Sequence, residues 1–235
     1  MTKCTEGDFI LEIWAAIDLS GKEACFSAGA YPERRQMICE SFAMKGRDSS
    51  SLLPKIEELL RTNSLSVNDI SRWTAGTGPG NYTGLRIVSS LVSGIVFGRD
   101  SVFCRGIPSA NAILSDMATS ENENAAVVYP FEPGKVFVFC GTRRNGSIFR
   151  NMEVGGVFST EEFLEKLSGM KYAVLERDLP VLSERVAENA VKVSVFPVQN
   201  LVFACPGSWE RNSVRDLIYM RPAVNVAPMQ IRTEL

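Results

Sequence analysis

The sequence predicts an α/β protein in which one unit, β-β-β-α-β-α-β, occurs twice along 235 residues. Short apolar runs bounded by turn residues alternate with stretches of helical period in each half. A polar stretch, Ser115 to Asn124, reads as a helix end and linker between the halves. The length fits one large domain or two of roughly 100 residues, enough to bury a substantial core. At 45% hydrophobic and 22% charged residues, the composition is that of a globular chain.

The first strand is expected at Ile10 to Ile17, an apolar run that ends at Asp18 and so places a carboxylate at a strand end. After the turn Leu19-Ser20-Gly21-Lys22, strands are expected at Ala24 to Ala30 and Gln36 to Ala43. Ser49-Ser50-Ser51 offers cap hydroxyls to a helix whose Leu52, Leu53, Ile56, Leu59 and Leu60 share one face. Pro54 is tolerated there because it falls in the first turn. A strand at Arg72 to Ala75 leads into the glycine-rich Gly76 to Gly84, a helix from Leu85 to Phe97 and a strand at Ser101 to Cys104. In the second half, strands are expected at Ala125 to Tyr129, Val136 to Gly141 and Ser147 to Val154. A capping box at Ser159-Thr160-Glu161-Glu162 starts a helix, followed by a strand at Tyr172 to Glu176, a helix at Val181 to Ala190 and a strand at Val191 to Phe196.

No sequence identity is visible between the halves, so the repeat rests on element order. That order resembles the ribonuclease-H-like unit doubled in the actin, Hsp70 and sugar-kinase superfamily. There two lobes face each other across a cleft, and strand-end carboxylates and hairpin turns contact nucleotide phosphates. The expected division is a lobe over 1–107, a second over 108–210, and a tail over 211–235 that packs back on the body.

The chain contains no histidine, which removes Ser-His-Asp triads, Cys-His dyads, imidazole bases and the usual His-containing zinc sites. A net charge of −2 argues against a nucleic-acid binder driven by charge alone. The six cysteines have no C-x-x-C pair or regular spacing and read as inert core thiols in a reducing cytoplasm. The N-terminus lacks the apolar core of a signal peptide, and Leu85 to Phe97 falls short of the roughly 20 apolar residues of a membrane span. A cytoplasmic protein without membrane contact is expected.

The glycine-rich loop is the most specific local feature. It is neither a Walker A loop nor a G-x-G-x-x-G fingerprint. Gly78, Pro79 and Gly80 hold a turn, and Asn81, Thr83 and Gly84 open a helix whose N-terminus could seat an anion. Arg86 opposes the dipole in that first turn, so a partner carboxylate, a phosphate or an intramolecular ion pair is expected to compensate it. Asp18 is either an organiser of metal and phosphate or a cap on the following turn; a lone carboxylate makes a weak Mg²⁺ site, which favours the cap. In the second helix Ser89, Ser90, Ser93 and Gly94 form a small-residue face, which either admits a partner helix or faces solvent. Tyr31, Trp73, Tyr82 and Trp209 lack the spacing of a stacking platform and read as core or loop anchors. Arg143-Arg144 beside Asn145-Gly146 reads as a hairpin turn, and at most as a small basic spot for RNA.

Over Gly76-Thr77-Gly78-Pro79-Gly80-Asn81-Tyr82-Thr83-Gly84-Leu85-Arg86 the sequence resembles the bacterial TsaB (YeaZ) family. Asn81 and Val88 stand where that family's pattern has Ser and Gly. Ala16-Ile17-Asp18, Ser20 and Glu23-Ala24-Cys25 match its opening hairpin. Leu52-Leu53-Pro54, Ile56 and Leu59-Leu60 match its first helix, Asp69-Ile70 precedes the loop as expected, and Tyr219-Met220-Arg221-Pro222 resembles its terminal motif. Pro130-Phe131-Glu132 replaces the family's Asp-Ala-Arg segment, and a histidine often found near Asp48-Ser49 is absent.

The resemblance implies a non-catalytic scaffold in the making of threonylcarbamoyladenosine, the modified base beside the tRNA anticodon. Its partners would be a TsaD-like catalytic subunit, a TsaE-like ATPase and, through the complex, tRNA; alone it would pair with a second copy. The implied docking residues are Leu52, Ile56, Leu59, Arg86, Ser89, Ser90, Ser93, Gly94 and Phe97. No cofactor or metal is expected, and at most weak Mg-ATP binding. Two other readings stay open: an actin-like small-molecule kinase or phosphohydrolase using Asp18 and the glycine loop, and an orphan homodimer.

Overall fold

In a computed structural model, the structure describes residues 11–44, 49–118, 120–204, 209–211 and 214–220. The first sheet is built from β1 (Glu12–Asp18), β2 (Glu23–Tyr31), β3 (Arg35–Ala43), β4 (Ile70–Gly76) and β5 (Phe103–Ile107). Its order is β3-β2-β1-β4-β5, with an antiparallel meander of three strands and β4 and β5 added in parallel. The parallel additions require crossovers, supplied by α1 (Leu52–Thr62) and α2 (Tyr82–Val96).

The second lobe follows α3 (Ser109–Met117) and contains β6 (Asn124–Glu132), β7 (Lys135–Arg144), β8 (Ser147–Arg150), β9 (Gly156–Ser159), β10 (Lys171–Leu175) and β11 (Val191–Val193). Its sheet runs β11-β10-β6-β7-β8, with β9 paired to β7. Read from the far edge, β8-β7-β6-β10-β11 repeats the order of the first sheet with the same parallel and antiparallel pairings. The chain is therefore a doubled ribonuclease-H-like α/β fold of the actin and Hsp70 type.

Side-chain alternation divides the apolar residues among three cores. On β1, Ala15 and Ile17 face an outer core closed by Leu52, Ile56 and Leu60 of α1 and by Val88, Val92 and Val96 of α2, while Ala16 faces the centre. On β6, Ala125, Val127 and Tyr129 face that same centre, where α3 and α6 (Gln199–Val202) fill the space between the sheets. Ala126 and Val128 face an outer core beneath α4 (Thr160–Lys166) and α5 (Glu184–Glu188). Burying Leu52, Ile56 and Leu60 contributes about 1.5–3 kcal/mol each, which fixes α1 to the sheet.

The capping box at Ser159 forms as expected, with Ser159 Oγ accepting from Glu162 N and Glu162 accepting from Ser159 N. Elsewhere local expectations give way to tertiary packing. Ser49–Ser51 form a 3₁₀ turn, and Ser51 makes no side-chain cap bond to α1. The strand expected from Ser147 to Val154 ends at Arg150 as β8, and β9 is a separate strand that begins beyond it at Gly156. Pro180 stands in a 3₁₀ turn, Glu176–Val181, so the helix expected from Val181 shrinks to α5. Among the described residues, no helix is long and apolar enough to cross a membrane.

Candidate functional site

Asp18 ends β1 at the centre of the molecule and is 2% exposed. Its Oδ1 accepts from the Ser20 amide at 2.9 Å and the Ser20 hydroxyl at 2.7 Å, and its Oδ2 accepts from the Ser109 hydroxyl. Ser109 Oγ in turn accepts from Gly78 N at 3.0 Å. One carboxylate thereby ties together the β1–β2 turn, the start of α3 and the glycine loop. Both its oxygens are committed within the chain, which agrees with the turn-cap reading. Burial, followed by the charge of Asp18, pushes the nearby Cys25 thiol up to about 12, so Cys25 stays protonated at neutral pH.

The glycine loop is shaped by close approach. Gly78 has φ of +99°, a conformation open to glycine and strained for side chains, and the Gly78-Pro79 bond is cis. A Cβ on Gly80 would stand 2.6 Å from Cα, Cβ and O of Ser20. The loop lies directly on the β1–β2 turn. Asn81 locks that contact: its Nδ2 donates to Gly21 O at 2.8 Å, and its backbone N donates to Ser20 O at 3.1 Å. Its Oδ1 accepts from Gly84 N at 2.6 Å, capping α2. The helix N-terminus expected to seat an anion is thus capped by the chain's own amide.

Arg86 on that first turn has neither a carboxylate nor an ion-pair partner among the described residues, which corrects the expectation of an intramolecular ion pair. Its guanidinium lies 4.0 Å from the Tyr82 ring centroid, and its Nε donates to the Tyr219 hydroxyl at 3.4 Å, which raises its pKa. Tyr219 belongs to a returning segment. Tyr219 bridges Gly80, and Ile218 N donates to Thr77 O at 2.7 Å. Upstream, Val214 N donates to Ser93 Oγ at 3.1 Å and Val214 O accepts from Ser89 Oγ at 3.2 Å. Glu210 adds an antiparallel bridge to Cys104 at the edge of β5.

No family model matches the chain. In sequence it is 33% identical over 85 residues to the tRNA threonylcarbamoyladenosine biosynthesis protein TsaB of Haemophilus influenzae. That match spans 36% of this chain and 35% of the relative's length. In fold it is similar to YeaZ from Pseudomonas aeruginosa, with a TM-score of 0.60 at 16% identity over 81% of this chain and 88% of that one. A second structure, described as an uncharacterized protein with similarity to peptidase YeaZ from Pseudomonas aeruginosa, gives a TM-score of 0.61 over the same shares. The chain is TsaB-like in sequence and YeaZ-like in fold.

The residues expected from the sequence to meet a partner fall into three groups. Leu52 and Ile56 are wholly buried in the core under α1, so their expected part in a docking face does not hold in the isolated chain; an apolar helix stripe looks the same in sequence whether it meets a sheet or a partner. Ser89 and Ser93 are half-buried and bonded to Val214, so half of the small-residue face is covered in cis. Arg86, Ser90, Gly94 and Phe97 form an exposed stripe on α2, with Phe97 79% exposed, Gly94 open on its Cβ side, and Leu59 half-buried on α1. Thr83 is exposed, while Gly78, Pro79, Gly80 and Gly84 are buried in the loop contact.

Several side chains in these contacts carry no local sequence signal. Ser109 has none, since its role depends on α3 starting beside Asp18. Trp14 stacks on Tyr31 at 4.0 Å, meets Trp209 edge-on at 5.2 Å, and Arg105 lies 4.1 Å from the Trp209 ring, so Tyr31 and Trp209 anchor one aromatic cluster. Arg143 donates to Ala118 O and to Ser115 O at 2.8 Å, clasping the end of α3 from the Asn145-Gly146 turn. Cys25, Cys104 and Cys140 are buried, whereas Cys39 is exposed, which corrects the expectation of a core thiol there. Cys4, Cys205 and Arg221-Pro222 lie outside the described residues. Among the described residues, no cluster of three or more Asp, Glu or Cys side chains is placed to hold a metal ion.

Proposed function

We propose that this chain is a TsaB family member acting as a scaffold subunit in tRNA threonylcarbamoyladenosine formation, docking a TsaD-like catalytic subunit and performing no chemistry itself. The observation that carries the reading is the 33% identity over 85 residues to a protein whose name states that pathway. Further support comes from the interior. Asp18 is held by Ser20 and Ser109, Asn81 caps α2, and the chain contains no histidine to serve as a base or ligand. Chemistry would then rest with the partner, a TsaE-like ATPase would complete the machinery, and tRNA would be reached through the complex.

The docking face is assigned to the exposed stripe Arg86, Ser90, Gly94 and Phe97 with the outer edge of α1 at Leu59; in the absence of the partner the same face would pair two copies. Gly94 leaves room for a backbone to approach, and Phe97 supplies an aromatic anchor. Gly94→Arg is expected to abolish co-purification with a TsaD-like protein while leaving the thermal midpoint within about 2 °C, as for an exposed substitution. Depletion of the chain is expected to lower threonylcarbamoyladenosine in bulk tRNA by mass spectrometry. An unaltered level would overturn the functional reading; intact co-purification would overturn the face.

A further inference from the structure

Arg86 is the single charged residue of α2 and stands near its N-terminus, where the helix dipole disfavours a cation and no acidic residue offsets it. Its side chain is nonetheless held from two sides. The guanidinium carbon lies 4.0 Å from the Tyr82 ring centroid, and Nε donates to the Tyr219 hydroxyl at 3.4 Å. The two rings pack on each other with centroids 4.8 Å apart, so the cation is gripped by one ring from its own helix and one from the returning segment.

The grip leaves the outer end of the guanidinium uncommitted. Nη1 and Nη2 bond to no residue among those described, and the Tyr219 hydroxyl, which accepts from Nε, donates its own proton to none of them. A fork of N–H groups and a phenol therefore meet at one exposed point. It lies at the head of the stripe that continues through Ser90, Gly94 and Phe97 along one side of α2. None of Tyr82, Arg86 and Tyr219 lines the cavity between the lobes, so the point belongs to the outer face.

We propose that the partner docking on this stripe presents an aspartate or glutamate carboxylate to Arg86, bound by Nη1 and Nη2 as a fork with the Tyr219 hydroxyl as a further donor. The inference rests on the scaffold reading above and adds the chemistry by which the partner is recognised. A planar guanidinium meets a carboxylate in two parallel hydrogen bonds, and holding it in place beforehand lowers the ordering cost of docking. The surroundings favour a side-chain carboxylate over a nucleic-acid phosphate. No further cation follows Arg86 along α2, and α1 beside it mixes Glu57 and Glu58 with Lys55 and Arg61, so no basic track extends for a phosphate backbone to follow. They also favour a different protein over a second copy, because α2 paired with α2 would bring no carboxylate to either Arg86.

The test is calorimetric titration of the full chain with the TsaD-like protein encoded in the same genome, at low and at high sodium chloride. Arg86→Gln is expected to weaken binding by about tenfold or more and to flatten its salt dependence, with circular dichroism and thermal midpoint unchanged, as for an exposed site. Arg86→Lys keeps the charge without the fork and is expected to restore binding only in part. Tyr219→Phe keeps the ring, removes the acceptor that positions Nε, and is expected to weaken binding less than Arg86→Gln does. Carbodiimide treatment of the complex formed by the Arg86→Lys variant is expected to join that side chain to an aspartate or glutamate of the partner, located by peptide mass spectrometry. Wild-type binding that Arg86→Gln leaves unchanged, a formed complex without that cross-link, or an Arg86-dependent affinity for tRNA in place of the partner would overturn this inference alone. No binding by the wild type would overturn the docking reading with it.

Discussion

The two lobes share strand order and strand direction, yet their equivalent corners differ. In the first lobe the end of β1 is buried. Asp18 holds Ser20 and Ser109, and the loop after β4 lies on the β1–β2 turn through Gly80 and Asn81. In the second lobe the end of β6 is exposed, and Glu132 pairs with Lys135 at 3.1 Å across an open turn. The loop after β10 is a 3₁₀ turn that directs Arg177 and Asp178 into the cleft without closing on its neighbour. Identical topology therefore leaves the chemistry of a corner undecided. A carboxylate at a strand end becomes an internal tie where a second loop covers it, and a surface ion pair where none does.

The widest separation between the corners should come from removing the two carboxylates. Asp18→Ala strands buried Ser109 and the Ser20 amide, and a loss of about 3 kcal/mol in denaturant melts is expected, since hydrogen bonds to a buried charge are the costly ones to break. Glu132→Ala removes a half-exposed pair and should change stability by less than about 0.5 kcal/mol. Equal losses would end the contrast.

Glycine substitutions sharpen the same comparison at smaller scale. Gly80→Ala forces a methyl against Ser20 and is expected to cost about 2 kcal/mol. Gly134 in the β6–β7 turn has φ of +74° and open space around it, so Gly134→Ala should cost about 1 kcal/mol through backbone strain alone. Asn81→Ala, which removes the α2 cap, is expected to lower stability by about 1 kcal/mol and to speed exchange of the Gly84 amide.

The smallest effect concerns Asp178. Burial raises its pKa above the ordinary aspartate value, partly opposed by Arg177 and Lys22. Its folded form binds the proton more readily than the unfolded chain. It therefore favours folding at low pH, and that contribution is lost as pH rises from the ordinary aspartate value through the raised one. Asp178→Asn should melt slightly above wild type at pH 7, with the difference shrinking toward pH 3.5. A constant difference across that range would remove burial as its cause.

Much of this was legible in the residues. The strand-turn-strand pattern from Ile10 to Ala43 matches β1 to β3 within two residues at each end, because one-sided burial writes its period into the sequence. The Ser159 capping box and the Asn145-Gly146 turn are equally local, and both form. The glycine loop announced a close approach, while its occupant did not appear in the local pattern. Gly80 meets Ser20 from 60 residues away in the chain, and Ser89 and Ser93 meet Val214 across more than a hundred.

The sequence alone determined the doubled α/β order, the absence of histidine and the glycine-loop motif, since each is a matter of residue type or local period. Only the tertiary structure decided that Asp18 is an internal tie, that Leu52 and Ile56 serve the core, and that α2 presents Ser90 and Gly94 while the returning segment at Val214 covers Ser89 and Ser93. The physical reason is the same in each case: a side chain's role depends on which distant backbone removes it from water, and that partner is set by packing rather than by its neighbours in the chain.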